Sequence, residues 1–371
     1  MLGNNLLITV NGDKNQGVQI NNFLNENDLY KIEYLKFSDG TSIYLPDLGL
    51  NMAYGATDDT INGTYNDDTI IAGNGNDTVN AGDGNDSIYG GKGNDALNGG
   101  NGRDSYYYNL GDGYDTITET RGNDKIIFGE GISINNLSFR QDGSDLDILI
   151  NNDVSQGVTV KDFYSGTNYQ VETLQFADGS TFNLSTQGIT LQQTDADDTV
   201  NGTSYNDVIY GNGGHDTINA GEGNDTIVGG IGNDILNGGN GDDTYIYNLG
   251  DGFDTITEAG GNDKIVFGEG ISQSDLSFEK IGNNLKISIN GDEIKGIQIN
   301  DHFRYDSSKV ETIEFHDGST LDISNADQLI QAMNSFSVSN SASTDPLSNP
   351  TENVSDMYSL AASQDLTRKA I

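Results

Sequence analysis

Residues 72–95 read AGNGNDTVNAGDGNDSIYGGKGND. One phrase returns at an interval of nine residues and sets Asp77, Asp86 and Asp95 in register. Working outward, the same interval reaches Asp59, Asp68 and Asp104. A second block repeats it with Asp198, Asp207, Asp216, Asp225, Asp234 and Asp243. Two residues beyond each aspartate stands an apolar residue or tyrosine: Ile61, Ile70, Val79, Ile88, Leu97 and Tyr106, then Val200, Ile209, Ile218, Ile227, Leu236 and Tyr245. After each block the register slips by two residues and resumes, at Asp115 and Asp124 and at Asp254 and Asp263. A period this short marks a stacked architecture in which each repeat contacts its neighbours.

A longer period of 139 residues encloses the short one. DSYYYNLGDGYDTITE (104–119) returns as DTYIYNLGDGFDTITE (243–258), and VETLQFADGST (171–181) as VETIEFHDGST (310–320). The segment after each block reads as strands, alternating at Leu146/Ile148/Ile150 and Val158/Val160, and at Leu285/Ile287/Ile289 and Ile297/Ile299. NLLITVNGD (5–13) and IEYLKFSDGTS (32–42) form a third, partial copy. The expected fold is all-β: parallel β-roll (β-solenoid) blocks alternating with small β-rich domains, then a short C-terminal helix and a disordered tail. The expected division is 1–50, a truncated β domain; 51–124, the first roll; 125–190, a β domain; 191–263, the second roll; 264–324, a β domain; and 325–371, helix and tail. A copy that starts part-way suggests the C-terminal part of a longer repeat protein, or a truncated gene model.

In GGKGNDALN (90–98) the glycines permit the positive φ of a tight loop. The aspartate closes the loop, and Ala96-Leu97-Asn98 is expected as a short strand with Leu97 inward. Two loops and two strands make a coil of 18 residues, so Asp77 lies over Asp95 and Asp86 over Asp104. One inward aliphatic for nine ordered residues does not offset backbone entropy, and stacked carboxylates repel. A hard cation between successive loops relieves both difficulties. Ca²⁺ accepts six to eight oxygens from carboxylates and carbonyls, whereas Mg²⁺ demands strict octahedral geometry and keeps its waters.

Composition agrees. The 371 residues carry a formal charge of −40, with 44 aspartates against 13 glutamates, 49 glycines and three prolines. Such charge argues against nucleic-acid partners and anionic membrane surfaces. Disorder throughout is excluded by apolar residues recurring in register. There is no cysteine, hence no disulfide or thiolate site. No apolar run suits a membrane span, and no cleavable N-terminal signal is legible. The chain shows no His-Glu-x-x-His, Gly-x-Ser-x-Gly or P-loop, so it is expected not to be an enzyme. Of the three histidines, His215, His302 and His316, the last two are expected in or beside strands and not as ligands or catalysts. The aromatics of SYYYN and TYIYN are read as an apolar plug at the end of each roll rather than as a sugar platform.

The loops resemble the RTX (repeats-in-toxin, haemolysin-type) calcium-binding nonapeptide GGxGxDxUx. The segments with KIIFGEGIS (125–133), KIVFGEGIS (264–272) and VETIEFHDGST are similar to the haemolysin-type calcium-binding-related domain. The resemblance implies several Ca²⁺ ions per block. Its pattern places metal at Gly73, Gly75, Asp77, Gly82, Gly84, Asp86, Gly91, Gly93, Asp95, Gly100, Gly102 and Asp104. In the second block it does so at Gly214, Asp216, Gly221, Gly223, Asp225, Gly230, Gly232, Asp234, Gly239, Gly241 and Asp243. Asp115, Asp124, Asp254 and Asp263 are further candidates. The first turns of each block (YGATDDTIN, GTYNDDTII, QTDADDTVN, GTSYNDVIY) lack the glycine before the last two loop residues and are read as caps of the stack. GNGGHDTIN places His215 where asparagine is usual.

SNADQLIQAMNSFS (324–337) sets Leu329, Ile330, Met333 and Phe336 on one helical face, with Ser324 or Asn325 as cap. Residues 355–371, SDMYSLAASQDLTRKAI, resemble by position the uncleaved C-terminal signal of type I secretion substrates. The function this implies is the calcium-binding region of a secreted bacterial protein that folds on extracellular calcium after type I export. The alternative is the delivery module of a toxin, bacteriocin or exoenzyme whose effector lies upstream. Expected partners are calcium and the type I secretion machinery, with contact to a cell surface or target cell compatible with an extracellular location.

Overall fold

A computed structural model describes strands at Leu6–Val10, Asp13–Ile20, Tyr34–Lys36 and Ser42–Tyr44 and the continuous run 51–331. The remainder of 1–50 and residues 332–371, with Met333, Phe336, the tail and the expected secretion signal, lie outside the described residues. Two compact units are present, 1–187 and 188–371.

In the first unit successive nonapeptides alternate between two parallel sheets. One stacks Asn51–Ala53, Thr69–Asn74, Ser87–Lys92, Ser105–Tyr108 and Lys125–Phe128. The other stacks Thr60–Asn62, Thr78–Asp83, Ala96–Gly102 and Tyr114–Thr118. Thr60 pairs with Thr78 and Thr78 with Ala96, an 18-residue step; Ala96 pairs with Thr116, where the two-residue slip falls. The second unit repeats this, with Thr199 on Thr217, Thr217 on Ile235, and Ile235 on Thr255.

The strands are longer than expected. Ala96–Gly102 spans seven residues instead of three, because pairing resumes beyond Leu97 at Gly100 with Gly82 and Asn101 with Asp83. The loop backbones themselves stack as a ladder, so the glycine pair belongs to the strand. In the six- and seven-residue strands of the nonapeptides two positions face inward. The first holds the aliphatic expected from the pattern; the second holds Ala72, Ala81 or Ala220, or a glycine. The roll is therefore thin. It widens only at its last turns, where Tyr108, Phe128 and Phe176 pack in series, as do Tyr247, Phe267 and Phe315. Tyr106 and Tyr108 are 1% and 2% exposed and fill the end of the roll, whereas Tyr107 of the same phrase is half-buried and stacks on Tyr89.

The segments expected as small β-rich domains add their strands to these same sheets. Asp153–Val160 pairs in parallel with Tyr114–Thr118, and Thr173–Gln175 with Lys125–Phe128. The antiparallel meander Leu137–Asp142, Asp145–Ile150, Asp153–Val160 extends one sheet, and Thr181–Asn183 ends the other. The second unit ends alike. A register shift falls between Leu149 and Ile150, between Ser288 and Ile289, and between Thr9 and Val10 in the hairpin Leu6–Val10/Asp13–Ile20. The shared shift marks the strands Leu6–Val10 and Asp13–Ile20 as a copy of the same hairpin. Residues 326–331 are helical, with Ala326 and Leu329 buried and Ile330 half-buried. Ser324 turns its hydroxyl back to Asp322 Oδ1. Among the described residues no helix is long and apolar enough to cross a membrane.

Candidate metal centres

The loop aspartates form ladders along both edges of each roll. The backbone N–H of each donates to Oδ1 of the aspartate one coil further on: Asp59 to Asp77, Asp77 to Asp95 and Asp95 to Asp115 at 2.7, 2.7 and 3.0 Å. On the other edge Asp68 donates to Asp86, Asp86 to Asp104 and Asp104 to Asp124, at 2.7, 2.8 and 2.7 Å. The second unit repeats both series, ending at Asp254 and Asp263. The ladder through Asp124 finishes on Glu172 and that through Asp263 on Glu311, at 2.6 and 2.8 Å. Sequence reading missed these two glutamates. They come from the repeated VET phrase, but 48 residues separate them from their partners.

A second ladder runs the opposite way through the residue before each aspartate. Asn94 N–H donates to Asn76 Oδ1 at 2.8 Å, and Arg103 N–H to Asn85 Oδ1 at 3.0 Å. His215 fills this role in the second block, its Nδ1 accepting from Asn233 N–H at 2.9 Å. His302 is buried with Nε2 3.0 Å from the Ile323 carbonyl, and burial lowers its pKa to about 4. His316 is exposed.

With Oδ1 committed, the second oxygen decides the chemistry. Among the described residues, Oδ2 of Asp77, Asp86, Asp95, Asp104 and Asp124, and of Asp216, Asp225, Asp234, Asp243 and Asp263, is buried without a hydrogen-bond partner. A buried, unpaired carboxylate oxygen is costly; ten in register form a donor set that fits a hard cation. Asp115 and Asp254 share the Oδ1 role but not this orphaned Oδ2. The glycines keep the loops close enough to share an ion. Gly91 and Gly93 have φ of +93° and +141°, and a Cβ there would fall 1.9 and 1.8 Å from the carbonyl oxygens of Gly73 and Gly75. Asn212, the substitute in the His215 loop, adopts φ +73°.

The degenerate turns all lack the glycine two residues before the aspartate, and three of the four carry a second substitution. Thr64, Thr194 and Thr203 stand where regular loops have the glycine four residues before the aspartate, or Asn212 in the His215 loop. Thr64 N–H and Oγ1 donate to Asp68 Oδ2 at 2.6 and 3.0 Å, and Thr194 donates likewise to Asp198. Thr203 N–H donates to Asp207 Oδ2 at 2.5 Å. The oxygen left orphaned elsewhere is satisfied by the protein here. Thr64→Val is therefore expected to cost about 0.5–1.5 kcal/mol in calcium-saturated unfolding while leaving the number of bound ions unchanged. A lost ion would make Asp68 a ligand.

Burial pushes these carboxyls up, and neighbouring carboxylates add to the effect at several of them: Asp95, Asp104, Asp234 and Asp243 to about 6, Asp86, Asp124, Asp225 and Asp263 to about 7, Asp115 and Asp254 to about 8. A carboxyl whose pKa is raised by folding stabilises the fold below its unfolded value near 4. That contribution is lost as pH rises through the folded value. Without a cation the β content is thus expected to be higher at pH 5 than at pH 8, measured by far-UV circular dichroism in chelator. Equal or lower content at pH 5 would show that these carboxylates do not oppose folding. Calcium affinity should move the other way, rising with pH as protons leave the ligands.

A family model described as the RTX calcium-binding nonapeptide repeat (4 copies) matches residues 54–87, 71–106 and 80–117, and 193–227, 212–245 and 219–256. A second, the haemolysin-type calcium binding protein related domain, matches 5–44, 145–186 and 284–325. Together they span more than half of the chain. The comparison with curated proteins gave no match. Among solved structures, the crystal structure of extracellular lipase LipA from Serratia marcescens is 22% identical with a TM-score of 0.24, over 60% of this chain and 37% of that chain. The chain thus corresponds to little more than a third of the lipase's length.

Proposed function

Because the chain belongs to the RTX haemolysin-type calcium-binding repeat proteins, we propose that it is a calcium-folded region of a protein exported by a type I system. The ten buried, unpartnered Oδ2 atoms carry this reading. Where calcium is scarce the carboxylate ladders oppose folding, and an unfolded chain can thread a channel. Outside, calcium binds the folded form alone, and that linkage drives folding. Segments that fold as they emerge cannot slide back, so folding biases export outward. In this reading Asp77, Asp86, Asp95, Asp104 and Asp124 and their second-unit counterparts hold the ions with carbonyls of the adjacent glycine loops. The chain acts by binding rather than catalysis, and hydrolytic activity in the purified protein would contradict that part of the reading.

Limited proteolysis of the whole chain tests it. At about 0.1 µM free calcium both blocks should be cleaved throughout; at about 2 mM, above the range typical of extracellular calcium modules, they should be protected. Equal protection at both concentrations would remove the basis for export in the unfolded state.

A further inference from the structure

Each block ends in a cluster that the nonapeptide pattern does not describe. Glu119 follows the strand Tyr114–Thr118 and Glu258 follows Phe253–Thr257; they are 0% and 4% exposed. One carboxylate oxygen each from Asp104, Glu119 and Asp124 lie within 4.8 Å of one another, as do those of Asp243, Glu258 and Asp263. The four aspartates are each 1% exposed, and their Oδ2 atoms have no partner. The neighbouring tyrosine offers them nothing further. The Tyr106 hydroxyl donates to Glu119 and accepts Gly99 N–H at 2.7 Å, and the Tyr245 hydroxyl donates to Glu258. Space beside the cluster is kept by an absent side chain: a Cβ on Gly238 would fall 2.3 Å from Asp243 Oδ2, 2.5 Å from the Tyr245 hydroxyl and 2.7 Å from Glu258 Oε1.

We infer that each block closes on a divalent-cation site of its own kind, held by Asp104, Glu119 and Asp124 in the first unit and by Asp243, Glu258 and Asp263 in the second. The inference rests on the calcium reading and extends it. A glutamate from the end of the coil joins two loop aspartates, so three carboxylates surround one ion in a buried, tyrosine-buttressed setting. Calcium affinity rises with ligand charge and site rigidity. These two sites are therefore the tightest in the chain and the first to fill, at the turns where the thin core widens.

The test counts calcium bound to the full chain by equilibrium dialysis, for the wild type, Glu119→Gln, Glu258→Gln and the double variant. Glutamine keeps the shape and an acceptor for the tyrosine hydroxyl. Terbium, a calcium surrogate, is followed in parallel by emission excited through tyrosine, since the chain has no tryptophan. Each single variant should lose one ion and about half of the tightest terbium phase; the double variant should lose two ions and the whole phase. A wild type that binds no calcium sinks the calcium reading itself. A wild type that binds calcium, beside a double variant with the same ion count and the same tightest phase, overturns this inference alone and leaves Glu119 as a hydrogen-bond partner of Tyr106. If the glutamine variants do not reach wild-type β content in saturating calcium, Glu119→Asp with Glu258→Asp decides. It keeps the charge but withdraws the carboxylate, so the tightest phase should weaken by about tenfold or more; an unchanged phase overturns the inference.

Discussion

Replacing Asp86 and Asp104 together by alanine is expected to raise the calcium midpoint of the first block by about tenfold or more, each charged contact contributing roughly 1.5–3 kcal/mol. The two residues are successive rungs of one ladder, Asp86 N–H donating to Asp104 Oδ1 at 2.8 Å, and both present an orphaned Oδ2. Removing them deletes two of the proposed calcium ligands from one edge, and it also relieves repulsion between them. It strips the Oδ1 acceptors from the buried N–H groups of Asp68 and Asp86 as well, so the metal-free fold weakens too and the gain from calcium shrinks. The second unit, with its ladders intact, serves as an internal reference and should titrate unchanged. Asp86→Asn with Asp104→Asn separates ligand from turn-former. Asparagine preserves the Oδ1 acceptor and loop chemistry but not the charge. If the aspartates only terminate turns, the asparagine pair behaves as wild type. If they bind calcium, it shifts nearly as far as the alanine pair.

Gly91→Ala is the second large effect. Its φ of +93° already strains an alanine, and its Cβ would lie 1.9 Å from the Gly73 carbonyl oxygen of the coil below. Backbone cannot swing aside as a flexible side chain can, so the two loops must separate. Gly111→Ala is the matched control: φ is +89°, and nothing lies within 4 Å of the added Cβ. The control should cost about 1–3 kcal/mol from backbone strain alone, whereas Gly91→Ala should cost clearly more and weaken calcium-induced folding of its block. Thermal unfolding in saturating calcium measures the difference. Equal losses would mean that close stacking of the loops is not needed.

The sequence carried much of this in plain form. A nine-residue interval that places Asp77 over Asp95 and Asp86 over Asp104 needs only the two-fold alternation of loops and strands. The slip of two residues before Asp115 reappears as the pairing of Ala96 with Thr116. Other features depended on contacts that spacing does not reveal. Glu172 ends a ladder begun in the nonapeptides because the intervening meander folds onto one sheet and returns the chain to the other. Glu119 reads as an ordinary polar residue closing a strand; only burial against Tyr106 brings it to the aspartates. The threonines of the degenerate turns were visible as a missing pattern. That Thr64 supplies the hydrogen bonds which Asp77 lacks follows from side-chain geometry alone.

Calcium titration of the whole chain, followed by far-UV circular dichroism with magnesium as control, tests the central claim most directly. The account predicts a cooperative coil-to-β transition in calcium and none in magnesium at the same concentration. A chain that is already β-rich in chelator at neutral pH, and unchanged by calcium, would contradict it: the orphaned oxygens would then be tolerated without an ion, and the ladders would be turns.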